Sequence, residues 1–372
     1  MLYNNCMKRI AIVTITNSGL NFGNKLQNYA LQHVLESFPA DVRTIFSAKN
    51  MRNSLLLSRL RKLAKAALKT SGRSRRFGSF DRAYIKKAGR TRFERLNDGS
   101  FSKEYDAFVA GSDQVWNPAF PFNSEFEFLT FAGPEKRFSY AASFGLDEIP
   151  EAYRVTYAQR LAGMRSISVR EDKGREIVMR LTGRDAPVHV DPTMLLGIDD
   201  YAAIERKPAL PLPEKYLLMY FLGDQKSEYV SFLREVADRL DLPVLELSEH
   251  RGSAFYNIGP QHFLYLVRHA DYVCTDSFHG TVFAIIFQKP FVAFRRADGN
   301  VSMDSRTETL LRKFGLGSRA FGAMGAEGGL GAEGGLSAER ALEAVSYGEV
   351  GERLSQERAA AMEYLRGIAT QD

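Results

Sequence analysis

The run Thr275-Asp276-Ser277-Phe278-His279-Gly280 carries the residue types that point most directly to chemistry. The apolar stretch 272–275 ends there, hydroxyl and carboxylate side chains that can cap a helix follow it, and a histidine falls in that helix's first turn. Backbone N–H groups at a helix start attract anions. His279 is therefore a candidate general acid toward a bound phosphate, although a lone histidine, taken alone, is more often structural. Arg170, beside Glu171, and Arg295, beside Arg296, end two other apolar stretches. Each arginine is open to two readings, an ion pair or a clamp for a carboxylate or phosphate. Residues Gly111, Ser112, Asp113 and Trp116 follow a further strand-like stretch, and Trp116, the chain's one tryptophan, can stack on a sugar face or pack a core. Asn17, Asn24 and Ser143 complete the polar groups expected at strand ends.

Other chemistries find no support. Of the 6 histidines none pairs at a metal-ligand spacing, no H-E-x-x-H run or Cys/His cluster occurs, and no metal is expected. A G-x-S-x-G elbow is absent. Gly19 and Gly23 are too close together for a Walker loop, and Lys25 is followed by leucine where that loop needs Ser or Thr. Two cysteines, Cys6 and Cys274, form no disulfide framework, which fits a reducing compartment.

The elements that must position these residues alternate along the chain. Residues 8–16 read as a buried strand, 17–23 as a turn, and the stretch from Asn24, a candidate cap, as a helix with Leu26, Ala30, Leu31, Val34 and Leu35 on one side. Strand-like segments follow at 105–110, 137–142, 166–170 and 188–190. Residues 199–213, with three prolines, read as a linker, after which strands at 216–222, 244–247, 272–275 and 291–294 alternate with helices at 227–240, 260–269 and 277–288. Helical stretches at 337–344 and 352–368 end the chain, after a tandem six-residue duplication at 325–336 to which no function is assigned. Alternation of this kind implies parallel sheets, and a length of 372 residues implies two domains, expected at 1–200 and 201–372. In open α/β sheets ligands collect beyond the carboxyl ends of the strands, where the residues named above stand.

Net charge is +6, but residues 49–95 alone hold 16 Lys/Arg against Asp81 and Glu94. A basic insertion is therefore expected there, attached to a mildly acidic body. Within it, residues 54–69 form a candidate amphipathic helix with Leu56, Leu60, Leu63, Ala64 and Ala67 on one face and Arg61, Lys62, Lys65 and Lys69 opposite. Such a helix can lie on an anionic membrane or pack on the protein surface. A nucleic-acid partner is disfavoured, because aromatics at base-stacking spacing are lacking. No apolar run reaches the length of a membrane span, and residues 1–9 lack the apolar centre of a signal peptide. The expected location is cytoplasmic, with peripheral docking at the inner face of the plasma membrane through 54–69.

Six segments, in order, resemble the polysaccharide pyruvyl transferase family: 16–32 with its N-F-G-N-K-L-Q-N-Y-A-L-Q run, 111–117, 140–145, 167–171, 190–195 (V-D-P-T-M-L), and 275–280 with 290–295. The resemblance implies a GT-B-like α/β fold, two doubly wound Rossmann-like domains facing a cleft. It also implies transfer of the enolpyruvyl group of phosphoenolpyruvate onto a saccharide acceptor as a cyclic ketal, with no cofactor beyond that donor. A lipid-linked saccharide precursor would be the natural acceptor if the basic arm docks on a membrane. The family's histidine, in a Thr-x-Arg-Leu-His-Gly pattern, falls on His279, and a family arginine on Arg170. Ser277 and Phe278 replace the pattern's arginine and leucine, so Arg295 or Arg306 would have to supply the missing cation. The expected donor contacts are Arg170, Ser277, Phe278 and Arg295. The alternatives are a nucleotide-sugar glycosyltransferase of the same architecture and a non-catalytic membrane-associated scaffold, since fold does not determine function.

Overall fold

The computed structural model describes residues 7–16, 20–45, 72–88, 99–120, 123–248, 250, 252–297, 305–322 and 336–370. The proposed membrane helix at 54–69, Asn17 and all but the last residue of the 325–336 duplication lie outside them. The chain divides into two α/β units, 1–196 with 357–372, and 197–356.

In the first unit, strands β1 (Lys8–Val13), β2 (Ala40–Thr44), β3 (Ala107–Ala110) and β4 (Arg137–Ser139) form one sheet in the order β2-β1-β3-β4. All three pairings are parallel. β1 and β3 are apolar, and their residues from Ile10 to Val13 and from Phe108 to Ala110 are fully buried, as strands covered on both faces must be. Residues 166–170 and 188–190 do not form full strands; isolated parallel bridges pair Phe138 with Ser166, Ala142 with Val169 and Val169 with Val188. Ser166 Oγ donates to the Tyr364 hydroxyl at 2.9 Å, and Ser168 Oγ accepts the Ala141 N–H at 3.1 Å and lies 2.8 Å from His189 Nδ1.

Helix α1 (Phe22–Leu35) follows β1. Its cap is Asn21, whose side chain accepts the Asn24 N–H at 3.0 Å, so Asn24 sits inside the first turn and does not cap. The helix is buried on its polar stripe as well as its apolar one: Asn24, Gln27, Asn28 and Gln32 are all buried. Each is satisfied by the neighbouring layer, as buried amides must be. Asn28 Oδ1 accepts the Thr44 hydroxyl at 2.8 Å, and Gln32 Oε1 accepts the Lys86 N–H at 2.8 Å.

Of the expected basic insertion at 49–95, residues 72–88 are described, and they are part of this unit. Helix α2 (Gly72–Tyr84) buries Arg73, Phe77 and Phe80. The Arg73 guanidinium lies 4.7 Å from the Phe22 ring centroid and 5.1 Å from that of Phe77, and donates to the Leu20 carbonyl at 2.6 Å. Lys25 and Asp81 close a 3.0 Å ion pair across the same contact. A cation between two aromatic faces is held by their quadrupoles, so charge alone did not indicate exposure.

Helices α3 (Glu151–Ala162) and α4 (Asp172–Thr182) complete the first unit together with the end of the chain. In the second unit, helix α5 (Ile198–Ala202) occupies part of the expected linker, its Tyr201 buried against Phe283. Strands β5 (Leu217–Tyr220), β6 (Val244–Glu246), β7 (Tyr272–Thr275) and β8 (Phe291–Ala293) form a second parallel sheet, in the order β6-β5-β7-β8. Helices α6 (Ser227–Leu240), α7 (Pro260–Arg268), α8 (Phe278–Ile286), α9 (Ser305–Lys313) and α10 (Ala338–Ala341) accompany it. The last helix, α11 (Tyr347–Thr370), ends in the first unit. That return corrects the expected 201–372 domain. Arg358 donates to the carbonyls of Met194 and Leu196, each at 2.6 Å, the Tyr364 hydroxyl donates to the Ser139 carbonyl at 2.9 Å, and Ala361, Leu365 and Ile368 are buried.

Candidate functional site

In the first unit the carboxyl ends of the strands carry a buried polar network. Gly111 has φ +141°, and a Cβ there would stand 2.1 Å from the Tyr140 carbonyl oxygen, so the turn out of β3 accepts only glycine. That turn delivers Ser112 to the interior. Its N–H donates to Gln27 Oε1 at 3.1 Å, and its hydroxyl lies 2.8 Å from the Ala141 carbonyl and 3.0 Å from Asp191 Oδ2. Asp191 caps the short turn Pro192–Leu195, its Oδ1 accepting the Thr193 N–H and hydroxyl at 3.0 and 2.7 Å. Its Oδ2 accepts Arg170 Nη1 at 2.6 Å.

Arg170 Nη2 reaches Asp113 Oδ1 at 3.3 Å, and the arginine side chain is 1% exposed. Burial opposes its charge, but Asp191, Asp113 and Glu171 outweigh it and raise its pKa above the ordinary value. The expected surface ion pair or donor clamp is thus replaced by a buried fork between two aspartates. Asp113 is the member of this network nearest to solvent, with its side chain 15% exposed. It holds φ +68°, uncommon for a residue with a Cβ. Its carboxylate also accepts the Gln114 N–H at 2.9 Å and lies 3.4 Å from Asn24 Nδ2.

Two other expected substrate contacts turn inward. Ser143 is fully buried and gives its hydroxyl to Glu171 Oε1 at 2.9 Å, alongside the N–H groups of Phe144 and Gly145 at 2.9 and 3.2 Å. Trp116 is fully buried, stacked on Phe128 at 5.5 Å, with its indole N–H donated to the Glu127 carbonyl. It packs the core, and both faces are lost to a sugar.

In the second unit, Ser277 caps α8 by accepting the Gly280 N–H at 3.3 Å. Thr275 Oγ1 donates to the Tyr220 carbonyl at 2.6 Å and accepts the Ser277 N–H at 3.0 Å, joining the ends of β5 and β7. Gly280 lets the helix approach closely, since a Cβ there would stand 2.4 Å from Thr275 Oγ1. Asp276 turns to the β5 loop and accepts the N–H groups of Leu222 and Gly223 at 2.6 and 2.8 Å. His279 is buried, its ring meeting the Phe278 ring edge to face at 5.3 Å. The Arg306 guanidinium lies 5.7 Å from the Phe278 ring centroid, and the partly exposed Arg295 pairs with Glu308 at 3.3 Å. Arg296 also belongs to this corner, since a Cβ on Gly223 would stand 2.9 Å from its Cγ. A histidine, a helix start and arginines from two further segments therefore gather at the carboxyl ends of β5, β7 and β8. Among the described residues no group of His, Cys, Asp or Glu could hold a metal.

Sequence reasoning passed over Gln27, Thr14 and Thr193. Gln27 Nε2 donates to Thr14 Oγ1 at 2.8 Å. The available signal was the polar stripe Asn24, Gln27, Asn28, Gln32 on a helix otherwise read by its leucines.

The polysaccharide pyruvyl transferase family model matches residues 21–298. No curated protein sequence matches the chain. Among solved structures, the chain is similar to the UDP co-structure of S. aureus MnaA, at 12% identity and TM-score 0.48, covering 95% of this chain and 91% of that one. It is similar to Arabidopsis thaliana UGT89C1 at 11% identity and TM-score 0.47, covering 98% and 100%. E. coli ADP-heptose lps heptosyltransferase II follows at 14% identity and TM-score 0.40, covering 94% and 99%. The chain is an α/β protein of two parallel-sheet units and belongs to the polysaccharide pyruvyl transferase family.

Proposed function

We propose that this member of the polysaccharide pyruvyl transferase family moves the enolpyruvyl carbons of phosphoenolpyruvate onto a saccharide, leaving a pyruvate ketal. The observation that carries the reading is the corner at the start of α8, where the Ser277-capped helix, His279 and the arginines 295 and 306 stand together. Phosphoenolpyruvate bears a carboxylate and a phosphate, and a helix start flanked by guanidinium groups offers donors to both. Ser277, Phe278 and Arg295 are its proposed contacts, with Arg306 as the cation that the Ser277 position does not supply.

The chemistry asks for a proton on carbon. His279 delivers it to the methylene carbon, and the central carbon becomes cationic. A sugar hydroxyl attacks that carbon and loses its proton, the C–O bond to phosphate breaks, and a second hydroxyl attacks and loses its proton to close the ketal. Of the two hydroxyl protons released, one balances the proton taken up at carbon and the other leaves with inorganic phosphate. Asn24 and Asp113 are the proposed contacts for saccharide hydroxyls, since Asp113 is a partly exposed carboxylate already held by Arg170. A lipid-linked acceptor and a peripheral membrane contact through 54–69 belong to the same proposal. No helix among the described residues is long and apolar enough to cross a membrane.

Thermal shift of the purified protein with phosphoenolpyruvate, against UDP and UDP-sugars, tests the donor. Stabilisation by phosphoenolpyruvate, weakened in Arg295→Ala, supports it. Stabilisation by UDP-sugars alone hands the protein to nucleotide-sugar transfer. Deleting 54–69 should abolish liposome binding and spare turnover of a soluble acceptor; retained liposome binding would remove the membrane contact.

A further inference from the structure

The first strand-to-helix turn of the second unit follows β5. In the sheet order β6-β5-β7-β8, β5 continues to β6 on one side and borders β7 on the other. The ends of β5 and β7 therefore flank the switch point, where open α/β sheets receive ligand phosphates on the backbone N–H groups of that first turn. Here those groups are already engaged. The N–H of Leu222 donates to Asp276 Oδ1 at 2.6 Å and that of Gly223 to Oδ2 at 2.8 Å. Asp276 leaves the end of β7 and is 8% exposed. The turn is shaped around this carboxylate, because a Cβ on Gly223 would stand 3.2 Å from Asp276 Oδ2 and 3.0 Å from the Ala297 nitrogen.

A carboxylate that takes two consecutive N–H groups through its two oxygens makes the contact that two oxygens of a phosphate would make. We propose that Asp276 is an internal anion seated in the phosphate position of the second unit's first turn, and that it determines donor specificity by excluding nucleoside diphosphates. An incoming diphosphate would have to displace a buried, doubly hydrogen-bonded carboxylate and meet its negative charge at contact distance. A small donor needs only the adjoining start of α8, so the same residue leaves room for a phosphorylated carboxylate. This inference rests on the donor reading above in its second half only.

The test uses the full-length protein, with UDP and phosphoenolpyruvate titrated calorimetrically into wild type, Asp276→Ala, Asp276→Asn and Asp276→Glu. Wild type should bind phosphoenolpyruvate and show UDP affinity at least tenfold weaker. Asp276→Ala, which frees both N–H groups, should gain tenfold or more in UDP affinity. Asp276→Asn, which removes the charge but keeps one acceptor, should gain less and serves if the alanine variant does not fold. Asp276→Glu keeps the charge and should gain nothing. Folded Ala and Asn variants with wild-type UDP affinity would overturn the proposal, and so would a wild-type protein that binds UDP as tightly as phosphoenolpyruvate. A gain in UDP binding together with no phosphoenolpyruvate binding by wild type would sustain the role of Asp276 and sink the pyruvyl donor.

Discussion

Arg170 Nη1 and Asp191 Oδ2 lie 2.6 Å apart, with side chains 1% and 0% exposed. Removing one partner of such a pair strands the other charge in the interior. Arg170→Ala should therefore lower unfolding free energy by about 3–5 kcal/mol, read as a drop in the urea midpoint. A variant as stable as wild type, with only the phosphoenolpyruvate KM raised, would return Arg170 to the donor site.

In the proposed reaction His279 gives the proton to carbon. His279→Ala should lower kcat by about 10²-fold or more while the protein stays folded, the usual contribution of a placed general acid. Phosphate release followed under single-turnover conditions is the measurement, and near-normal release would make His279 a packing residue.

Trp116 stacks on Phe128 within the first core and spends its N–H on Glu127. Trp116→Ala should cost about 3–5 kcal/mol of stability. Trp116→Phe should recover most of that and leave the acceptor KM unchanged. An acceptor KM raised in the phenylalanine variant, without a loss of stability, would restore the sugar-stacking role.

Gly280 stands where a Cβ would press to 2.4 Å from Thr275 Oγ1 and 3.0 Å from its Cγ2. Gly280→Ala should displace the start of α8 from the end of β7, costing about 1–3 kcal/mol and reducing turnover along with stability. Pairing it with Thr275→Ser, which removes the methyl but keeps the hydroxyl, should return part of the loss. A fully tolerated alanine would show that the helix start does not depend on this approach.

Glu205 gives the second unit a pH dependence. Burial alone would push its carboxyl up, but hydrogen bonds from Arg268 and His269 outweigh this and hold it below the ordinary carboxylate value. A pKa lowered by folding means the unfolded chain takes the proton first. The stabilisation is then complete above the unfolded value of about 4.3 and is lost as pH falls through the lower, folded value. Glu205→Gln should be less stable than wild type at pH 7, and the difference should shrink toward pH 3. Urea midpoints across that range check it, and a difference that is constant with pH would assign the loss to packing.

Much of this architecture was written in local pattern. The alternation of apolar runs with 3.6-residue periodicity specifies two α/β halves, because each strand and helix must bury its own face whatever its neighbours do. The strand at Tyr272–Thr275 and the helix at Ser227–Leu240 have the same limits in the sequence reading and in the fold. A cap within 275–277 was legible too, since a cap depends on residues only three apart, and the structure gives it to Ser277.

What the sequence by itself determined, then, is the alternation of strands and helices in two halves, the identity of the polar residues at the strand ends and the family, whereas β2 (Ala40–Thr44) and α2 (Gly72–Tyr84) were not legible in it. The tertiary structure decided where those polar side chains point. Arg170 and Arg295 look alike in sequence, each ending an apolar run beside another charge, yet one is buried between two aspartates and the other leans half-exposed on Glu308. Trp116 and Ser143 read as possible ligand contacts until the first core closed over them. Arg73 was one of 16 basic residues in the segment read as a basic insertion, yet it lies buried against Phe22 and Phe77, while Arg75, Arg76 and Arg82 are exposed. The deciding partners lie outside the element that carries each side chain: Asp113 is 57 residues from Arg170, Glu171 is 28 from Ser143, Glu308 is 13 from Arg295 and Glu127 is 11 from Trp116. Local periodicity carries no information on a contact of that range, and the balance between desolvation and pairing is struck only once the layers have packed.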